Sequence, residues 1–180
     1  MRKELYKKIE IPEGIEAEIE GTTVKVTGPE GKNIRKFSIN SLELKREGNM
    51  ISIGSKKATK KEKKLMNTVT AHIKNMVKGV QEKFEYELRA VFSHFPITVE
   101  VKDHEVLIKN FLGEKIPRKT SVPAGVEIEV NGNLIKVRST DRELAGQAAA
   151  NLETVTRIMA RDRRIFQDGI FMTKKPGREI

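Results

Sequence analysis

The chain has 180 residues, of which 37% are hydrophobic, 33% charged and 5% aromatic, with no cysteine and a net charge of +10. The missing cysteines exclude a disulfide framework and thiolate-ligated zinc, and no apolar run approaches the roughly 18 residues of a spanning helix. A thin apolar core under a heavily charged surface fits two small domains better than one, and the positive balance selects polyanions as partners, nucleic acid before anionic membrane.

Residues 1–8 lead into Glu-rich sequence instead of the apolar core of a signal peptide, so a cytosolic protein with no membrane partner is expected. From Ile15, IEAEIEGTTVKVTGPEGK places Ile15, Ala17, Ile19, Val24 and Val26 in the alternation of a half-buried hairpin. Its Gly28, Gly31 and Lys32 resemble a phosphate loop at a glance. The spacing does not match a Walker motif and no Ser or Thr follows the lysine, so a Gly-Pro hairpin turn is the reading. LELKREGNMISIGS, from Leu42, is a second hairpin pivoting on Gly48-Asn49.

The run KKATKKEKK at residues 56–64 carries six lysines against one glutamate. Two readings stay open for it, a solvated loop leading into a helix and a surface in direct contact with phosphate. A helix opened by Ala58 or Thr59 follows, because Leu65, Met66, Val69, Ile73, Met76 and Val77 recur at spacings of three and four. In EKFEYELRAVF, Phe84, Tyr86 and Leu88 then alternate with Glu85 and Glu87, as in a half-buried strand.

The pattern now repeats. ITVEVKDHEVLIKNFLGEK sets Ile97, Val99, Val101, Val106 and Ile108 against the first hairpin, with Gly113 answering Gly31. GEKIPRKTSVP is a basic loop carrying Lys115, Arg118 and Lys119, stiffened by Pro117 and Pro123. VEIEVNGNLIKVRS, from Val126, turns on Gly132-Asn133, and a helix capped by Asp141 follows with Leu144, Ala145, Ala148, Leu152 and Val155 on one face. The repeat then requires a strand after the second helix to match the one at Phe84. GIFMTKK stands there, entered through Asp168-Gly169. The expected class is α+β: two tandem duplicated domains, each a small antiparallel sheet with one helix packed on one face.

Charge gathers after the second helix. RIMARDRRIFQDGIFMTKKPGR holds Arg157, Arg161, Arg163, Arg164 and Arg178 with Lys174 and Lys175, opposed by Asp162 and Asp168 alone. Arginine forks fix geometry on phosphate, whereas lysines act as mobile point charges. Spacings of about one helical turn put several of the arginines on one side of the helix end, next to the closing strand, as a phosphate-binding group. Ile165, Phe166, Ile170 and Phe171 are expected to close the second sheet. His72, His94 and His104 are too scattered for a metal site, no nucleophile or cofactor loop is present, and no cofactor or small-molecule substrate is expected. With no aromatic stacking pairs of the RNA-recognition-motif type, reading of single-stranded bases is not expected.

The stretches AHIKNMVKGVQEKFEYELRAVFSHFPI, DRELAGQAAANLE and RIFQDGIF resemble, in order and spacing, the large-subunit ribosomal protein six family in its archaeal and eukaryotic form. The resemblance covers nearly the whole chain. It implies a duplicated fold, with an N-terminal repeat at residues 1–82, a C-terminal repeat at 83–180 and an interdomain strand at about 83–93. It also implies a structural role in the large ribosomal subunit: binding of large-subunit rRNA, mainly through the second domain, near the sarcin-ricin loop and the stalk base where translation factors dock, beside neighbouring ribosomal proteins. The family's closing signature falls on Phe166, Asp168 and Gly169, and its glycine-glutamine pair on Gly146 and Gln147. An RNA-acting enzyme, or another basic nucleic-acid-binding protein, is the alternative.

Overall fold

The structure, a computed structural model, describes residues 3–39 and 41–180. The chain divides into two compact units at the junction of Lys83 and Phe84. The first unit contains β1 (Lys3–Glu10), β2 (Glu16–Glu20), β3 (Thr23–Gly28), β4 (Gly31–Lys36), β5 (Glu43–Glu47), β6 (Met50–Ala58) and α1 (Lys60–Gln81). The second contains β7 (Phe84–Val91), β8 (Thr98–Lys102), β9 (Glu105–Lys109), a 3-10 turn at Phe111–Gly113, β10 (Arg118–Ser121), β11 (Glu127–Asn131), β12 (Leu134–Ser139), α2 (Arg142–Val155), β13 (Gly169–Lys175) and β14 (Arg178–Glu179).

All strand pairs are antiparallel. The duplication holds, with the strands of each unit divided between two sheets. The orders β1-β6-β5 and β2-β3-β4 of the first unit return in the second as β7-β12-β11 and β8-β9-β10. Ile15 and Ile97 each stand just before the equivalent strands β2 and β8, both 8% exposed. Gly48 and Gly132 each open a two-residue turn at φ 60°, a conformation that costs glycine little because it has no Cβ. The Gly28-Gly31 turn packs on the end of α1, where the Glu30 N–H donates to the Val80 carbonyl at 3.0 Å. It is a hairpin turn, as expected.

Each unit has its own core. Val24, Val26, Ile51, Ile53 and Ile73 are fully buried in the first, and Leu88, Val106, Ile108, Ile135 and Val137 in the second. Thr59 caps α1 in a reciprocal box with Glu62, and Asp141 caps α2 by accepting from the Glu143 N–H at 2.8 Å. The buried face of α2 is mostly Ala145, Ala148, Ala149 and Leu152, and these small side chains let the helix lie close on its sheet. Leu144, expected on that face, is 37% exposed.

Three expectations about elements are corrected. Phe84–Val91 does not close the first unit; it is the opening strand of the second, equivalent to β1, so β13 and β14 have no counterpart among the described residues of the first unit. The lysine run is not a loop, because β6 continues through Lys56 to Ala58 and Lys60, Lys61, Lys63 and Lys64 belong to the first turns of α1. Arg118 and Lys119 stand on β10, paired with Ile108 and Leu107. β1 had no signal because Leu5 and Ile9 alone face inward from a strand of charged residues, one partly and one fully buried.

Candidate nucleic-acid interface

The basic segment after α2 is an irregular loop, residues 157–168, and not a continuation of the helix. Arg118 is one cause. Its guanidinium reaches from β10 to the carbonyls of Val155 at 2.8 Å and Arg157 at 3.2 Å, satisfying the carbonyls that a helix end leaves open. It is held by a bidentate pair with Glu114 (2.8 and 2.6 Å) and lies over the Phe111 ring, 4.3 Å from its centre. The Arg118 contact holds the Glu114 carboxyl below the usual carboxylate range, against the opposing effect of burial. Arg118, expected as an rRNA contact, makes all of these bonds within the fold. Arg118→Ala should cost about 2–3 kcal/mol, the scale of hydrogen bonds to a charged group, with the loss read as an earlier thermal unfolding transition.

Thr156 and Glu153 are the second cause. β13 pairs with β7 along one edge, so the N–H groups of Ile170 and Met172 point the other way. They donate to Thr156 Oγ1 at 2.9 Å and to a Glu153 carboxylate oxygen at 2.8 Å. The last turn of α2 thus completes the strand that the loop leads into.

Asp168 anchors the far end. It is 2% exposed. Its carboxylate accepts from the Ser93 hydroxyl at 3.0 Å and from the backbone N–H groups of Ser93 and His94 at 3.3 Å each, with His94 Nδ1 at 3.0 Å. Burial alone would raise its carboxyl pKa, but the donors of His94 and Ser93 outweigh that and hold it below the ordinary value. With all these donors turned to it, Asp168 positions the segment. Gly169 is buried beside it, and a Cβ there would stand 3.2 Å from the Phe171 ring. The half-buried Phe166 stacks on His94 with ring centres 5.0 Å apart, and the Arg161 guanidinium lies 4.9 Å from the same ring.

Between these anchors the chain exposes its charge. Asp162 organises the turn, accepting from the Arg164 N–H at 2.9 Å through its side chain and from the Phe166 N–H at 2.9 Å through its carbonyl. It also pairs with the Arg164 guanidinium at 2.9 Å, although that side chain is 90% exposed. Arg157 and Arg163 are exposed and line an open cleft of about 640 Å³. Among the described residues no acidic side chain pairs with either. Lys174 is half-buried and pairs with Glu87 at 3.2 Å, Lys175 is half-buried, and Arg178, Lys115 and Lys119 are exposed.

At Gly146 a Cβ would come within 3.1 Å of the Tyr86 hydroxyl. Gln147 is exposed and bonded to Asn151 at 2.8 Å. The apolar anchor is narrower than expected. Ile170 is 1% exposed, but Ile165 is 66% and Phe171 45% exposed, so they do not close the core. Sequence reading missed Ser93, His94, Glu114, Glu153 and Thr156, which no spacing links to the loop they hold. Among the described residues no group of three metal-ligating side chains forms, and no helix is long and apolar enough to cross a membrane.

A duplicated α+β chain that presents, among the described residues, two arginines without an acidic partner on a braced loop has the form of a polyanion-binding structural protein. The chain matches the family described as Ribosomal protein L6 over residues 11–83 and again over residues 95–169, once in each unit. It is 43% identical over 175 residues to the large ribosomal subunit protein uL6 of Methanothrix thermoacetophila, covering 97% of this chain and 99% of the relative. The uL6 proteins of Archaeoglobus fulgidus and Ignicoccus hospitalis are 40% and 44% identical over 96% and 91% of this chain, covering 92% and 91% of their own lengths. The chain belongs to the ribosomal protein L6 family.

Proposed function

We propose that this protein binds large-subunit rRNA chiefly through the braced basic loop of its second unit. As a family member it is a structural constituent of the large ribosomal subunit, not an enzyme, and works in the cytoplasm among rRNA and other ribosomal proteins. The observation that carries the finer reading is the placement of Arg157 and Arg163, exposed and without an acidic partner among the described residues, on a loop fixed at one end by Arg118 and at the other by Asp168. A loop already ordered loses little freedom when it meets phosphate. Arg161, Arg164, Arg178, Lys115, Lys119, Lys174, Lys175 and Gln147 extend the proposed contact, with Phe166, Gly169 and Gly146 supporting it from within. The proposed place is near the sarcin-ricin loop and the stalk base, supporting the region where translation factors dock.

The test is a salt titration of the protein with an rRNA fragment carrying the sarcin-ricin loop. Replacing Arg157 and Arg163 together with alanine should leave the melting temperature nearly unchanged, because exposed charges contribute little to folding. The slope of log K against log salt should become shallower by roughly 0.7 to 0.9 for each phosphate that is no longer neutralised. Equal affinity for duplex DNA would defeat the rRNA reading.

A further inference from the structure

The cleft that Arg157 and Arg163 line is not needed for phosphate binding by itself. Its other walls include Val91, Ile158, Phe166 and Phe171, an apolar patch beside Glu153 and Asp168, whose carboxylates are already engaged by the Met172 N–H and by Ser93 and His94. Its volume of about 640 Å³ falls within the range of small-molecule sites, roughly 300 to 1,000 Å³.

The two phenylalanines differ in what remains free. Phe166 is already engaged, by the His94 ring and by the Arg161 guanidinium. Phe171 has no aromatic or cationic partner among the described residues. Its ring lies against Gly169, where the missing Cβ makes room, and 45% of the residue stays open. Because β13 is held on both edges by β7 and the end of α2, this ring stands on a rigid strand. An exposed phenylalanine held this way, beside two arginines whose side chains have no acidic partner among the described residues, offers an apolar stacking surface and positive charge to the same ligand.

We infer that the cleft takes a single unstacked RNA base against Phe171, with the phosphates flanking that nucleotide on Arg157 and Arg163. Aromatic side chains stack on bases with little regard to sequence, since every base has a π face. Arginine forks suit the phosphates on either side. The inference rests on the RNA-binding reading and adds to it that a nucleotide must leave its helix.

The experiment uses the full chain and three RNA hairpins of equal length: fully paired, with one bulged 2-aminopurine, and with an abasic residue at the bulge. The 2-aminopurine hairpin should bind about tenfold more tightly than the other two, with its emission changed on binding. Phe171→Leu should erase that preference to within twofold while leaving affinity for the paired hairpin and the melting temperature unchanged, and Phe171→Tyr should keep it. Equal, salt-dependent binding of all three hairpins by the wild-type protein, or a preference that survives Phe171→Leu, would overturn the base site and leave phosphate binding standing. Absence of binding to any hairpin would remove both readings. Adenosine monophosphate binding more tightly than the bulged hairpin would overturn RNA as the occupant.

Discussion

Asp168→Ala should destabilise the second unit by about 3 kcal/mol and weaken rRNA binding with it. The removed carboxylate leaves the Ser93 hydroxyl, the Ser93 and His94 backbone N–H groups and the His94 ring without their acceptor. Buried donors stranded in this way cost roughly 1–3 kcal/mol each when nothing replaces the partner, less where water reaches them. Ser93 and His94 are themselves exposed residues that water reaches, which keeps the total toward the lower end of the sum. With the anchor gone, the loop carrying Arg157, Arg161, Arg163 and Arg164 loses its fixed far end. RNA affinity should therefore fall even in protein that remains folded, by a larger factor than the melt accounts for. The same carboxylate sets a pH dependence. Its folded pKa lies below the ordinary carboxylate value, so its contribution is fully present above the unfolded pKa and is lost as pH falls through the folded one. Below that range wild type and Asp168→Ala should converge in stability. Urea titrations of both proteins from neutral to strongly acidic pH measure this, and a constant difference across the range would show that the charge on Asp168 is not what matters.

Ile170→Ala should cost about 3 to 4 kcal/mol, within the 2–5 kcal/mol seen when a large aliphatic side chain is truncated in a core. Ile170 is 1% exposed in the core of the second unit, with Leu88 and Leu152, and stands between β7 and the end of α2. Its neighbour Phe171 should behave differently. With 45% of that residue open, Phe171→Ala should cost under about 1.5 kcal/mol, since only part of its area leaves water on folding. The pair separates anchor from contact surface. Ile170→Ala should lower RNA binding only in proportion to the unfolded fraction, whereas Phe171→Ala should lower it by more than its smaller loss of stability accounts for. Comparable losses of stability in the two variants would mean that Phe171 is a core residue after all.

The sequence by itself determined the duplication and most of the elements. Alternation at Val24 and Val26, and again at Val106 and Ile108, is a local signal of period two, and all four residues are buried. Gly48 and Gly132 declared their turns because a positive φ at the first turn position selects glycine. The caps at Thr59 and Asp141, and the helical stripes behind them, are legible for the same reason: each depends on residues two to four apart.

Only the tertiary structure decided which strands share a sheet, and what the charges near residues 157–168 do. Phe84, Tyr86 and Leu88 announce a strand, but whether it closes one unit or opens the next depends on its pairing with β12 and β13, far along the chain. RIMARDRR continues a helical spacing, and local propensity alone would let it run on. Arg118 takes the last carbonyls and Thr156 takes the Ile170 N–H, so the helix stops at Val155 and the arginines are carried on a loop. Among equally charged residues, composition cannot tell which are spent internally: Arg118 is paired with Glu114 while Arg163 faces an open cleft. That division rests on the Arg118 bonds to the carbonyls of Val155 and Arg157, 37 and 39 positions along the chain, which sequence spacing does not encode.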